Sequence, residues 1–174
     1  KNNKEIARLG ILRCSYFTNK FESTIKIATE ILEDIASNED NKYEAHYCRA
    51  KAYIATGKET TAINDLLAIS NDISIDMGAE AKYLYAEYLY NQGKYTKSEE
   101  TIMQFIKEGT THQYWLARCF VLLADIYISQ GDDFMGKQYL LSLQENYNAN
   151  DDIATLIKVR LDAISARETE EILQ

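Results

Sequence analysis

The chain has 174 residues, of which 46% are hydrophobic and 26% charged, and a formal net charge of -8. That composition excludes a disordered chain. No apolar run approaches the roughly 20 residues of a membrane span, and no Lys/Arg cluster offers the phosphate-neutralising surface that nucleic-acid binding needs.

There is no proline and only seven glycines, so helical runs with few breaks are expected. In chain order, residues 4–17 and 20–36 read as a first helical hairpin. Asn19 stands at its turn, because asparagine tolerates a left-handed backbone. Phe21, Thr24, Ala28 and Ile31 follow at helical spacing, and Leu12 stands where later hairpins carry a small residue. Residues 37–42 read as a loop. The next three hairpins, 43–70, 79–107 and 114–147, share one pattern. Each has a small residue (Ala50, Ala86, Ala124), an apolar or aromatic one three later (Tyr53, Leu89, Tyr127), then a glycine (Gly57, Gly93, Gly131). A second small residue follows (Ala62, Ser98, Gly136), and then a pair of large apolar ones: Leu66 and Ile69, Ile102 and Phe105, Leu140 and Leu143.

Each slot has a physical reason. The glycine supplies the left-handed conformation that ends a helix. The small residues let two helices approach closely, and the large ones fill the space between hairpins. One hairpin cannot bury its apolar face alone, so hairpins stack. Residues 109–113 read as a loop. Residues 152–168, opened by an N-cap at Asp151 or Asp152, read as a terminal helix covering the open end of the stack.

Chemistry is hard to place. His46 and Cys48 are two apart and point to different sides of a helix. His112 lies in a loop, seven residues before Cys119. Cys14, Cys48 and Cys119 have no CxxC spacing and read as core-filling thiols. Asp72, Ser74 and Asp76 resemble the start of a calcium loop, but Met77 stands where the glycine is needed and Tyr83 where the glutamate is. Glu99-Glu100 and Glu170-Glu171 read as solvated faces. No enzymatic activity, metal or cofactor is expected.

The Leu123-Ala124, Tyr127 and Gly131 set, the Ala50, Tyr53, Gly57 and Ala62 set, and Gly93 with Tyr95 resemble the tetratricopeptide repeat. The chain departs from that pattern in a longer period and in lacking the closing proline. The resemblance implies an all-α, right-handed α-solenoid of about four hairpins plus a C-terminal capping helix, one domain over residues 1–174. The start at Lys1, with no clear cap in KNNKEIARLG, suggests a segment of a longer array. The style is similar to bacterial multi-repeat proteins, which leaves the compartment open between cytoplasm and envelope.

In this family the first helix of each hairpin lines a concave groove. Carried over, the resemblance implies a lining that includes Arg13, Tyr16, Tyr47, Lys51, Tyr83, Glu87, Tyr90, Asn91, Arg118 and Asp125. Arg13, Lys51, Glu87 and Asp125 share one slot, so the row runs from basic to acidic. Thirteen tyrosines suit a contact surface, since tyrosine gives large area at low entropy cost. The expected role is a non-enzymatic module holding a protein or peptide segment. The alternative is a scaffold segment that stacks on neighbouring repeats or self-associates.

Overall fold

The computed structural model describes residues 2–172. Among them are nine α-helices and no strand. In order they are α1 (Asn2–Phe17), α2 (Phe21–Glu33), α3 (Glu39–Ala55), α4 (Glu59–Ile69), α5 (Asp76–Asn91), α6 (Tyr95–Glu108), α7 (Gln113–Ser129), α8 (Asp133–Asn146) and α9 (Ile153–Ile172). No described helix is long and apolar enough to cross a membrane. The chain divides into two compact units after Tyr85, within α5.

Four turns close in the same way. Gly57, Gly93 and Gly131 have φ of 70, 69 and 85°, and Asn19 takes φ 56° in the matching place. At each, the turn residue donates its N–H to the carbonyl three residues back, and the next residue donates five back. Gly57 bonds Ile54 at 3.0 Å and Lys58 bonds Tyr53 at 2.8 Å; Asn19 bonds Tyr16 at 3.0 Å and Lys20 bonds Ser15 at 2.8 Å. Gly93/Lys94 and Gly131/Asp132 repeat the pair. This double closure satisfies carbonyls that the helix end would otherwise strand.

In the first unit, α3 packs against α1, α2 and α4. Leu12, Ala28, Ile31, Ala45 and Cys48 form one core cluster, and Ala50, Ala62, Leu66, Ile69 and Ala81 another. In the second unit, α7 packs on α6 and α8, and α9 packs on both α7 and α8. There Ala124, Leu140 and Leu143 are buried with Ile153, Ile157 and Ile164 of α9.

The small-residue slots are the tight contacts. Thr24, Ala62 and Ser98 are fully buried, as are Ala50 and Ala124. The Ser98 hydroxyl donates to the Ala86 carbonyl at 2.7 Å. A Cβ on Gly136 would lie 2.6 Å from Ile128 Cγ1 and 3.1 Å from the Ala124 carbonyl oxygen. Ala86→Leu and Ala124→Leu should each therefore cost about 1–3 kcal/mol. Urea midpoints of both variants equal to the parent's would contradict this packing.

Several boundaries differ from the expectation. Residues 39–42 belong to α3, because the Asn38 side chain caps the helix by accepting from Asn41 N at 2.8 Å. The helix expected over 20–36 stops at Glu33, where Asp34 turns extended and its carboxylate accepts the Ala36 N–H at 3.0 Å. α5 begins at Asp76, not at 79, and α9 continues past residue 168. The Glu171 side chain lies outside the described residues. Cys48 and Cys119 are buried, but Cys14 is exposed, so only two of the three thiols fill core. Burial pushes the Cys48 thiol up to about 12 and raises that of Cys119. Cys14 should react with a thiol reagent in the native protein while the other two stay protected; a second fast thiol would contradict their burial.

Candidate interaction surface

In the first unit, Tyr16 and Lys51 come together at a cleft of about 340 Å³ lined also by Phe17, Asn19, Phe21 and Ala55. The left-handed turn at Asn19 reverses the chain so that the end of α1 and the start of α2 both contribute. Phe17 is 78% exposed and meets the Tyr16 ring at 5.5 Å between centroids. Tyr47 stands edge-on to Tyr16 at 6.1 Å, and its hydroxyl donates to Glu80 Oε2 at 2.6 Å. Burial, then the bond to Glu80, raises the Tyr47 phenol far above its ordinary value, so it stays a donor. Tyr83 is only 4% exposed; its ring is packed inside instead of facing solvent.

The four charges expected to share one row are each met by an opposite charge from the next hairpin or from α9. Arg13 Nε and Nη2 donate to the two oxygens of Glu44 at 2.6 and 2.7 Å. Lys51 Nζ pairs with Glu80 Oε1. In the second unit, Glu87 lies 3.8 Å from Arg118, which also reaches Asp152 at 3.4 Å. Asp125 accepts two bonds from Arg160 of α9 at 2.6 and 2.7 Å. The Arg13–Glu44 pair, with Arg13 57% exposed, contributes about 0–1 kcal/mol, whereas Glu80 is 6% exposed and the Asp125–Arg160 pair 21 and 25%, so those pairs are less screened by water. Together the four flatten the expected basic-to-acidic gradient pair by pair. Tyr90 bonds the Ser129 hydroxyl at 2.9 Å and packs on Tyr95 at 5.5 Å, and Asn91 is exposed.

Phe17, Phe21, Glu44, Glu80 and Arg160 were missed by sequence reasoning. The aromatic pair flanks the turn: Phe21 was read as part of the helix spacing and not as lining a cleft, and Phe17 belongs to no repeat slot. The counter-charges lie about one repeat downstream of their partners, a signal visible only after the hairpins are aligned.

A separate polar cluster joins α2, α3 and α4. The Asp65 carboxylate, 3% exposed as a side chain, accepts from Arg49 Nε and Nη2 at 2.8 Å each. His46 Nδ1 lies 2.7 Å from the same group, and Arg49 Nη1 donates to Thr29 Oγ1 at 3.0 Å. Burial works to raise Asp65, but the bonds from His46 and Arg49 prevail and hold its pKa below the ordinary carboxylate value. Asp65, His46, Arg49 and Thr29 together tie three helices, and the carboxylate is left almost no exposed surface.

Compared with known proteins, the chain matches no family model, no curated protein and no solved structure.

Proposed function

We propose that the chain is a tetratricopeptide-type right-handed α-solenoid that binds a protein or peptide segment and performs no chemistry. The observation that carries the binding role is the cleft at Tyr16, Phe17 and Phe21, with Lys51 at its edge. A ring as exposed as Phe17 stabilises little of the folded chain, and aromatic side chains of that kind dominate binding energy at protein contacts. The four equivalent turn closures and the packing of α3 on α1 and α2, repeated by α9 on α7 and α8, support the repeat reading.

The partner is to be found by crosslinking in the source cell followed by mass spectrometry. Tyr16→Ala with Phe17→Ala should then weaken that partner by about 2 kcal/mol or more, with the helical spectrum unchanged. Crosslinks and losses confined to the second helices of the hairpins would overturn the reading. The scaffold alternative gains support from one observation, the exposed apolar side chains of Ile6 and Ile11 on α1.

A further inference from the structure

In α1 an outward face carries Ile6, Ala7, Gly10, Ile11 and Cys14. All five are exposed, Ile6 by 60% and Ile11 by 49%. At 100° per residue they fall within an arc of about 140°. The charged Arg8 and Arg13 lie outside it, held by Asp34 and Glu44 respectively. A helix that is apolar on its solvent side is an unpartnered surface.

The middle of this face, at Ala7, Gly10 and Cys14, recurs inside the molecule, where it is covered. Aligning the turn residues Asn19 and Gly57 sets Ala7 against Ala45, Gly10 against Cys48 and Cys14 against Ala52. These α3 residues are 0, 3 and 0% exposed. What covers Ala45 and Cys48 includes Ala28 and Ile31 of α2, in one cluster. Aligning Asn19 with Gly131 sets the same three against Cys119, Leu122 and Ile126 of α7. Those residues are 1, 4 and 0% exposed, in a helix that packs on α6. Three of the positions exposed on α1, those of Ala7, Gly10 and Cys14, are therefore ones that α3 and α7 bury, and in α3 it is the second helix of the preceding hairpin that covers Ala45 and Cys48.

We infer that the α1 face is a docking surface for the second helix of one more hairpin of this repeat, joined ahead of α1 and seated on it as α2 sits on α3. This rests on the repeat reading above but not on the cleft's role in binding. The occupant is an amphipathic helix with a small residue followed three and four residues later by aliphatic ones, as Ala28, Ile31 and Leu32 are arranged in α2. A second copy of this chain fits less well. The equivalent stripe of α2 is covered by α3, and that of α8, through Leu140 and Leu143, is covered by α9.

The test uses Cys14 as a reporter, because it is the exposed thiol while Cys48 and Cys119 are buried. A copy of residues 1–38, carrying Cys14→Ser, is fused ahead of Lys1, which reproduces the spacing between Asn19 and Gly57. The fusion should gain helix by circular dichroism, and labelling of the original Cys14 should slow by about tenfold or more. Gly10→Glu in the original α1 should restore fast labelling by driving a charge into the new contact. Unchanged labelling in a fusion that has gained helix overturns the inference, as does a fusion that gains none. So does a parent chain that is dimeric by light scattering with Cys14 protected, because the occupant is then a second copy. Partner binding at the cleft is scored separately, so its failure leaves this result standing.

Discussion

Asp65→Ala should destabilise the protein by about 3 kcal/mol at neutral pH, more than any exposed ion pair of the chain. The carboxylate is almost wholly buried and holds three contacts at 2.7–2.8 Å, two from Arg49 and one from His46. Removing it strands a guanidinium between helices, and leaving one partner of a buried pair costs about 3–5 kcal/mol. The Arg49 and His46 side chains are 21 and 28% exposed, so water recovers part of that cost and places the estimate at the lower end. The sign of the pH dependence follows from the depressed pKa of Asp65. Its stabilisation is present above the unfolded value of about 3.9 and is lost as pH falls through the folded value. The gap in urea midpoint between parent and variant should therefore be full at pH 7 and shrink below about pH 4. Arg49→Met combined with Asp65→Leu should cost less than Asp65→Ala alone, because no charge is left unpaired. A shift at pH 7 equivalent to less than about 0.5 kcal/mol, within the range of ordinary surface substitutions, would mean the cluster does not join the three helices.

The helices were legible in the sequence because their signals are local. Glycine at fixed offsets from small residues is enough to place Gly57, Gly93 and Gly131, and even Asn19 adopts the turn conformation its position suggests. Helix starts set by side-chain caps were less legible: Asn38 works through Asn41, a pairing that resembles loop composition until the backbone is seen. Which faces would be covered was the least legible. Cys14 and Cys48 both sit among apolar neighbours in sequence, yet one is exposed and the other buried, because coverage depends on the neighbouring hairpin. The charged row is met by partners for the same reason. Arg13, Lys51, Glu87 and Asp125 were placed by their own helices, while Glu44, Glu80, Arg118 and Arg160 arrive from the next ones. The Asp65 cluster joins residues of opposite charge on separate helices, and no periodicity marks such a meeting.

Gly78→Ala should cost about 2–3 kcal/mol, against the direction that helix propensity alone gives. Gly78 lies in the first turn of α5 and has no left-handed backbone, so alanine there should by propensity gain up to about 1 kcal/mol. Sterics reverse the sign. A Cβ would sit 2.0 Å from the Asp72 carbonyl oxygen, 2.8 Å from its carbon and 2.5 Å from the Tyr43 hydroxyl. A backbone carbonyl cannot swing aside as a flexible side chain can, so either the start of α5 or the loop at 70–75 must move. The same loop is held by the Tyr43 hydroxyl, which donates to Ile69 O at 3.0 Å and to Asp72 O at 3.4 Å. Burial, then the charge of Asp72, pushes that phenol up to about 12, so the donor is present at any physiological pH. Tyr43→Phe removes the 2.5 Å conflict but not the 2.0 Å one, and should rescue Gly78→Ala only slightly. Gly10→Ala is the matched control. It too replaces a helical glycine, but a Cβ there meets nothing within 4 Å, and propensity should stabilise that variant by about 0.5–1 kcal/mol. Thermal midpoints of the two variants should move in opposite directions. If both rise, the close approach of the 70–75 loop to α5 is not a feature of the folded protein.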